Sequence, residues 1–257
     1  MTSLLVRNIA RIAGIERHGR LMLAGRDLSV MESIEDAFLY VEDGVIADFG
    51  PMSELADKGY ADDAGVTVVD ACGGMVLPSF CDSHTHIVYA ASREHEFVDK
   101  IRGLSYAEIA RRGGGILNSA DRLHELTEDE LYCQAMCRVR EIISKGTGAV
   151  EIKSGYGLNT ADELKMLRVI RRIQETAPLK VASTFLGAHA VGREYAGRQR
   201  EYVDLVVNEM IPEVGREHLA DYIDVFCDDG FFTPEDTARI LEAGAIWGMR
   251  PKIHGQE

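Results

Sequence analysis

The stretch Leu77-Pro78-Ser79-Phe80-Cys81-Asp82-Ser83-His84-Thr85-His86 decides how the rest of the chain is read. An apolar run leaves the Gly73-Gly74 turn and ends in His-x-His. Side chains on a strand alternate between its faces, so His84 and His86 are expected to point the same way, one pleat apart. Two imidazoles so placed can share a divalent ion, and imidazole suits zinc and iron. The plain alternative is a pair of exposed loop histidines. The apolar strand before them favours the metal, and a site of that kind needs further ligands elsewhere in the chain.

Downstream of this stretch, strand and helix signals alternate. Strands are expected at 75–86, 148–154, 180–189, 222–228 and 250–254. Between them, Thr127 with Glu130 and Thr160 with Glu163 read as capping boxes. Lys145-Gly146 closes the helix that Thr127 opens. Thr233-Pro234 places a cap residue before proline at the first helical position. Residues 201–210 read as a further amphipathic helix.

Strands alternating with helices imply an α/β fold with a parallel sheet. An inward-facing His-x-His favours closure into a (β/α)8 TIM barrel, incomplete here at about five strands, with its active site at the carboxyl ends of the strands. A doubly wound open sheet is the alternative. The chain has no G-x-G-x-x-G and no G-x-x-x-x-G-K-[ST], which weakens a nucleotide site. Because about five barrel strands are counted before Glu257, the chain is expected to be part of a longer polypeptide. An open sheet complete as written is the alternative.

Upstream, residues 1–72 have a different rhythm. The apolar runs 37–41 and 45–50 flank Glu42-Asp43-Gly44, a hairpin signal, and 66–70 is another strand. The expected organisation is a small β-sandwich-like domain over 1–72, followed by the N-terminal portion of the barrel over 73–257.

The net charge of −14 over 257 residues argues against a nucleic-acid or anionic-membrane partner. No apolar stretch is long enough to span a bilayer. The N-terminal residues lack a long apolar run, so no signal peptide is expected. The five cysteines contain no C-x-x-C pair and read as buried, reduced residues of a cytoplasmic protein.

Several polar residues fall at expected strand ends. His254 is the candidate third metal ligand, or else a hydrogen-bonded histidine at a strand end. Glu257 follows it and can relay a proton from metal-bound water, or stand as a surface acid. His189 closes its strand among small neighbours. Tyr156 lies between two glycines and can offer its hydroxyl to a substrate. Arg93 can grip a carboxylate in bidentate fashion, or form a surface ion pair. Gly113-Gly114-Gly115 lets backbone approach a ligand, or serves as a linker. Lys153 is placed for the bridging carboxylated lysine of a two-metal hydrolase, or more ordinarily for an ion pair. His95 and His124 read as surface groups.

The segment Pro78–His86 resembles the first-strand signature of the amidohydrolase superfamily. Ser92-Arg93-Glu94-His95-Glu96-Phe97, Gly113-Gly114-Gly115-Ile116-Leu117, Glu151-Ile152-Lys153-Ser154-Gly155-Tyr156-Gly157-Leu158 and Phe185-Leu186-Gly187-Ala188-His189-Ala190 are together similar to the imidazolonepropionase family. The resemblance implies a metal-dependent cyclic amidohydrolase of histidine degradation. It would open 4-imidazolone-5-propanoate with water to give N-formimidoyl-L-glutamate. It implies His84, His86 and His254 as ligands to one zinc or iron ion. Arg93, Tyr156, His189 and Glu257 match substrate-contact positions, with Glu257 and His189 catalytic. The small-molecule substrate is the expected partner, and a homodimer the expected assembly of the complete chain.

The family's further histidine and its metal-binding aspartate lie on later strands. The 257-residue chain is therefore expected to be weakly active or inactive on its own. Ser79 stands where glycine is usual, and Gly255-Gln256 where Ala-Asp is usual. The other readings are a different cyclic amidohydrolase or deaminase of the superfamily, and a non-catalytic metal-binding fragment.

Overall fold

The structure is a computed structural model that describes residues 3–60, 65–90, 92, 94–104, 108 and 115–255, residue 95 by its backbone. It divides into two units, Met1–Pro78 and Ser79–Glu257.

In the first unit, β1 (Ser3–Ala13), β2 (Ser33–Glu42), β3 (Val45–Pro51), β4 (Val66–Asp70) and β5 (Met75–Val76) form one five-stranded mixed sheet. A short helix, α1 (Met52–Lys58), follows β3. The β2–β3 hairpin turns on Asp43 and Gly44, with φ of 47° and 80°, as Asp-Gly hairpins require. Strands β4 and β5 both pair with β1 in parallel. Alternation puts Phe38 and Tyr40 on one face with Leu5, and Ala37 on the other with Ile9 and Ile12. The described residues thus supply one sheet with apolar side chains on both faces.

The strand expected at 75–86 is divided. Met75 and Val76 pair with β1, so the first unit runs past residue 72. Pairing resumes at β6 (Phe80–Thr85) beside a strand of the second unit. Pro78 sits in the gap, where its missing N–H cannot serve a sheet ladder.

In the second unit, β6, β7 (Thr147–Lys153), β8 (Lys180–Ala188), β9 (Tyr222–Val225) and β10 (Arg250–Pro251) form a parallel sheet in the order β10-β9-β8-β7-β6. Each strand lies beside its predecessor. A doubly wound sheet reverses direction at a switch point, whereas a barrel does not. The monotonic order therefore sets aside the doubly wound alternative. The intervening helices are α2 (Glu94–Ile101), α3 (Ile116–Glu125), α4 (Glu128–Ser144), α5 (Thr160–Thr176), α6 (Gln199–Leu205), α7 (Ile211–Arg216) and α8 (Pro234–Ile246). Val150 and Ile152 on β7, Ile223 on β9 and the inner faces of α4 and α5 meet in one large core.

Thr127 and Glu130 form the expected capping box at α4. Thr160 and Glu163 do not: Asn159 caps α5 by accepting from the Asp162 amide, and Glu163 turns into the protein. The helix expected over 201–210 runs on through a π turn, Val206–Met210, into α7. Pro212 follows that turn, and a proline inside a helix disturbs the carbonyl one turn earlier. The cysteines are free, but four are exposed and Cys227 is half-buried, against the expectation that all are buried. Cys133 and Cys137 share the outer face of α4, opposite the buried Leu131, Ala135 and Val139.

At α8, Thr233 accepts from the Asp236 amide and Asp236 answers at the Thr233 amide. Thr233→Ala is expected to cost about 1 kcal/mol in urea unfolding. An unchanged midpoint would contradict this role.

Candidate active site

The carboxyl ends of β6, β8 and β9 open onto a cavity of ≈ 790 Å³, lined by His84, His86, Tyr156, His189 and His254 with Phe97, Ile116, Phe226 and Phe231. Lys100, Glu96, Asp228 and Asp229 add charge at its margin.

His84 lies within β6, and His86 follows its end. Their rings are 5.6 Å apart at the centroids. On α4, Arg138 donates to the carbonyls of Ile87 and Tyr89 at 2.9 and 3.1 Å and stacks over the Tyr89 ring. It thereby ties down the chain just past His86. His254 arrives from beyond β10, paired as an isolated bridge with Phe226. One ring nitrogen from each of His84, His86 and His254 lies within 4.8 Å of the others. Among the described residues this is the one cluster able to hold a metal ion.

The electrostatics fit a cation held by neutral imidazoles. Burial, with help from His189, His254 and His84, lowers the pKa of His86 to about 2. Burial and the neighbouring His254 also lower that of His84. Neutral rings keep a lone pair for coordination. His86 Nδ1 and His254 Nε2 are buried with no hydrogen-bond partner. Such orphaned acceptors are rare in folded proteins and mark a place suited to an ion or a water molecule. A set of three imidazoles suits zinc or iron.

His189, at the end of β8, is buried and stacks 5.1 Å from His86. Its Nδ1 lies 2.9 Å from the Gly155 carbonyl, so the ring donates there. Tyr156 is 5.4 Å from both His86 and His189 at the ring centroids. The loop that carries Tyr156 is held from below by Glu163. Its Oε1 accepts from Gly157 N at 2.7 Å and Leu158 N at 3.0 Å, and its Oε2 from Gly155 N at 3.1 Å. Burial pushes the Glu163 carboxyl above its ordinary range, against the pull of Ser154 and these amides. A Cβ at Gly157 would sit 2.4 Å from the Glu163 nitrogen, so no other residue fits there.

The structure therefore brings His84, His86, His254, Tyr156 and His189 to one cavity. Arg93, Gly113, Gly114 and Glu257 lie outside the described residues, and so does the side chain of His95. Gly115 caps α3 at φ 83° and donates to Glu96 at 2.8 Å. His124 is exposed but pairs with Asp162 at 2.9 Å. Lys153 makes the ion pair, to Glu151 at 2.6 Å and Asp224 at 2.8 Å. Sequence reasoning passed over Asp224, Arg138 and the inward turn of Glu163. A lone acid inside the apolar run Tyr222-Ile223-Asp224-Val225-Phe226 was the available signal for the first of these.

The arrangement of strands and helices is shared with guanine deaminase from E. coli. The TM-score is 0.63 at 12% identity, over 99% of this chain and 52% of that one. At that identity the likeness defines the fold alone. It is an α/β fold with a parallel sheet, part of a TIM barrel, beside an N-terminal sheet unit. Sequence carries the relation further. The imidazolonepropionase of Flavobacterium johnsoniae is 47% identical over 250 residues, 97% of this chain and 60% of its own length. That of Christiangramia forsetii is 50% identical over 252 residues, 98% of this chain and 60% of its own. The chain is thus a homologue of the imidazolonepropionases, and it spans about 60% of the length of these curated relatives. No protein-family model matches the chain. No helix among the described residues is long and apolar enough to cross a membrane.

Proposed function

We propose that this chain carries the metal centre and substrate cleft of an imidazolonepropionase, which hydrolyses 4-imidazolone-5-propanoate to N-formimidoyl-L-glutamate. The observation that carries the reading is the convergence of His84, His86 and His254 in a cavity shared with Tyr156 and His189. The 47% and 50% identity to imidazolonepropionases supports the choice of substrate. The three histidines would hold one zinc or iron ion, which when bound would supply hydroxide at neutral pH, because coordination lowers the pKa of water towards ~7.

The chain's own groups bind and orient the substrate. His189, its Nδ1 proton engaged by Gly155, presents the rest of its ring to the imidazolone. The Tyr156 hydroxyl and the Arg93 guanidinium take the propanoate carboxylate. The Phe226–Phe231 stack walls the cleft and excludes water from the ring's far side. Glu257 accepts the proton of the attacking water and passes it to the leaving ring nitrogen. The protein acts in the cytoplasm, as a homodimer.

Protein purified from its native host is expected to consume imidazolonepropanoate with release of N-formimidoylglutamate. Hydrolysis of another cyclic substrate with imidazolonepropanoate untouched would overturn the reading. Arg93→Ala removes a charge-assisted contact of about 1.5–3 kcal/mol, so KM should rise roughly 10- to 100-fold. Unchanged kinetics would remove Arg93 from the carboxylate role.

A further inference from the structure

Behind His254 lies a group of buried charges that the reaction itself does not use. Asp224 on β9 is 1% exposed and Lys153 on β7 is 2% exposed. Both carboxylate oxygens of Asp224 are occupied. Oδ1 accepts from the Val225 amide at 2.9 Å, while Oδ2 lies 2.8 Å from Lys153 Nζ and 2.5 Å from His254 Nδ1. Lys153 is held in turn by Glu151 at 2.6 Å, and Glu151 by Thr184 at 2.5 Å and by Lys252. The acid is gripped from both sides and cannot swing.

We propose that Asp224 is the positioning residue of His254: it fixes the imidazole with its proton on Nδ1 and so reserves the Nε2 lone pair for the metal ion. The inference rests on the metal-centre reading above. An ionised carboxylate only accepts hydrogen bonds, so the short contact to Nδ1 requires Nδ1 to be the donor. Lys153 is the counter-ion that keeps the carboxylate charged in a buried place, since an unpaired charge there is costly. With Nδ1 engaged, Nε2 is the ring atom left without a partner, which is the state observed. Carboxylate partners of this kind orient ligating histidines and raise their basicity. Lys153 meets the same oxygen of Asp224 as His254 does, so it acts on the ion through two residues in series.

Asp224→Asn keeps the shape and breaks the logic. If its amide NH₂ faces His254, the ring must accept at Nδ1 and carry its proton on Nε2, where the ion binds. If the amide turns the other way, its NH₂ meets the Val225 N–H, a donor against a donor. Either arrangement also removes the negative charge that Lys153 needs.

The test reads the tautomer and the metal separately. Long-range ¹H–¹⁵N correlation spectra of metal-free, ¹⁵N-histidine-labelled protein report which nitrogen of His254 is protonated, with the signals assigned from His254→Gln. The wild type is expected to be protonated at Nδ1, and Asp224→Asn to shift towards Nε2. Zinc affinity, measured by competition with a chromophoric chelator, is expected to fall about 10- to 100-fold in Asp224→Asn. A wild-type His254 protonated at Nε2 overturns the proposal, whether or not the variant folds. A folded Asp224→Asn with unchanged zinc affinity also overturns it, while leaving the metal centre standing. Wild-type protein that binds no zinc overturns both, and the metal-free spectrum keeps the two failures apart.

Discussion

Glu163→Ala is expected to lower stability by about 3–9 kcal/mol, because it strands three buried backbone N–H groups, each costing roughly 1–3 kcal/mol when left unpaired. Those amides belong to Gly155, Gly157 and Leu158, and the carboxylate takes all three. The loop they form has no regular hydrogen-bond ladder of its own. Leu158 holds a left-handed conformation at φ 55°, and Gly155 is at φ 110°. Backbone of that kind persists only where its surroundings over-determine it. The consequence reaches the cavity twice, since Tyr156 rides on the loop and Gly155 orients His189. Glu163→Gln keeps one oxygen and should cost less, about 1–2 kcal/mol, for the one amide then facing an NH₂. Urea unfolding of the two variants checks the order. A loss below about 1 kcal/mol in Glu163→Ala would show that the loop stands without its clamp.

The second large effect is on the metal. His254→Ala removes the most buried of the three candidate ligands and leaves Asp224 with only Lys153 and a backbone amide. Protein zinc sites bind with about 10–16 kcal/mol shared among their ligands, so one ligand is worth on the order of 3–4 kcal/mol. Metal affinity is expected to fall by roughly 100- to 1000-fold, with His84→Ala showing a similar loss. Metal analysis after gel filtration reads the outcome. Full metal occupancy in either variant would remove that histidine from the ligand set.

What was legible in the sequence follows from which interactions are local. The Asp43-Gly44 turn, the Thr127 and Thr233 caps and the strand-helix alternation all arise within a few residues. The period of two put His84, on β6, and His86, just past its end, on the same side. Long-range competition accounts for what was misread. Thr160-x-x-Glu163 has the form of a capping box, but the Gly155–Leu158 loop offers Glu163 three buried donors and Asn159 takes over as cap. The apolar run around Pro78 reads as one strand, but its two halves pair with different sheets. Asp224 looks like a blemish in a strand until Lys153 and His254 are brought against it from residues far away in the chain.

Imidazoles sharing one ion define the site, and X-ray absorption at the metal edge of the zinc- or iron-loaded protein tests this most directly. It should give an inner shell containing about three nitrogens near 2.0–2.1 Å for zinc, with the outer-shell scattering of imidazole rings. A shell of sulfur, or of oxygen with no imidazole scattering, would contradict it.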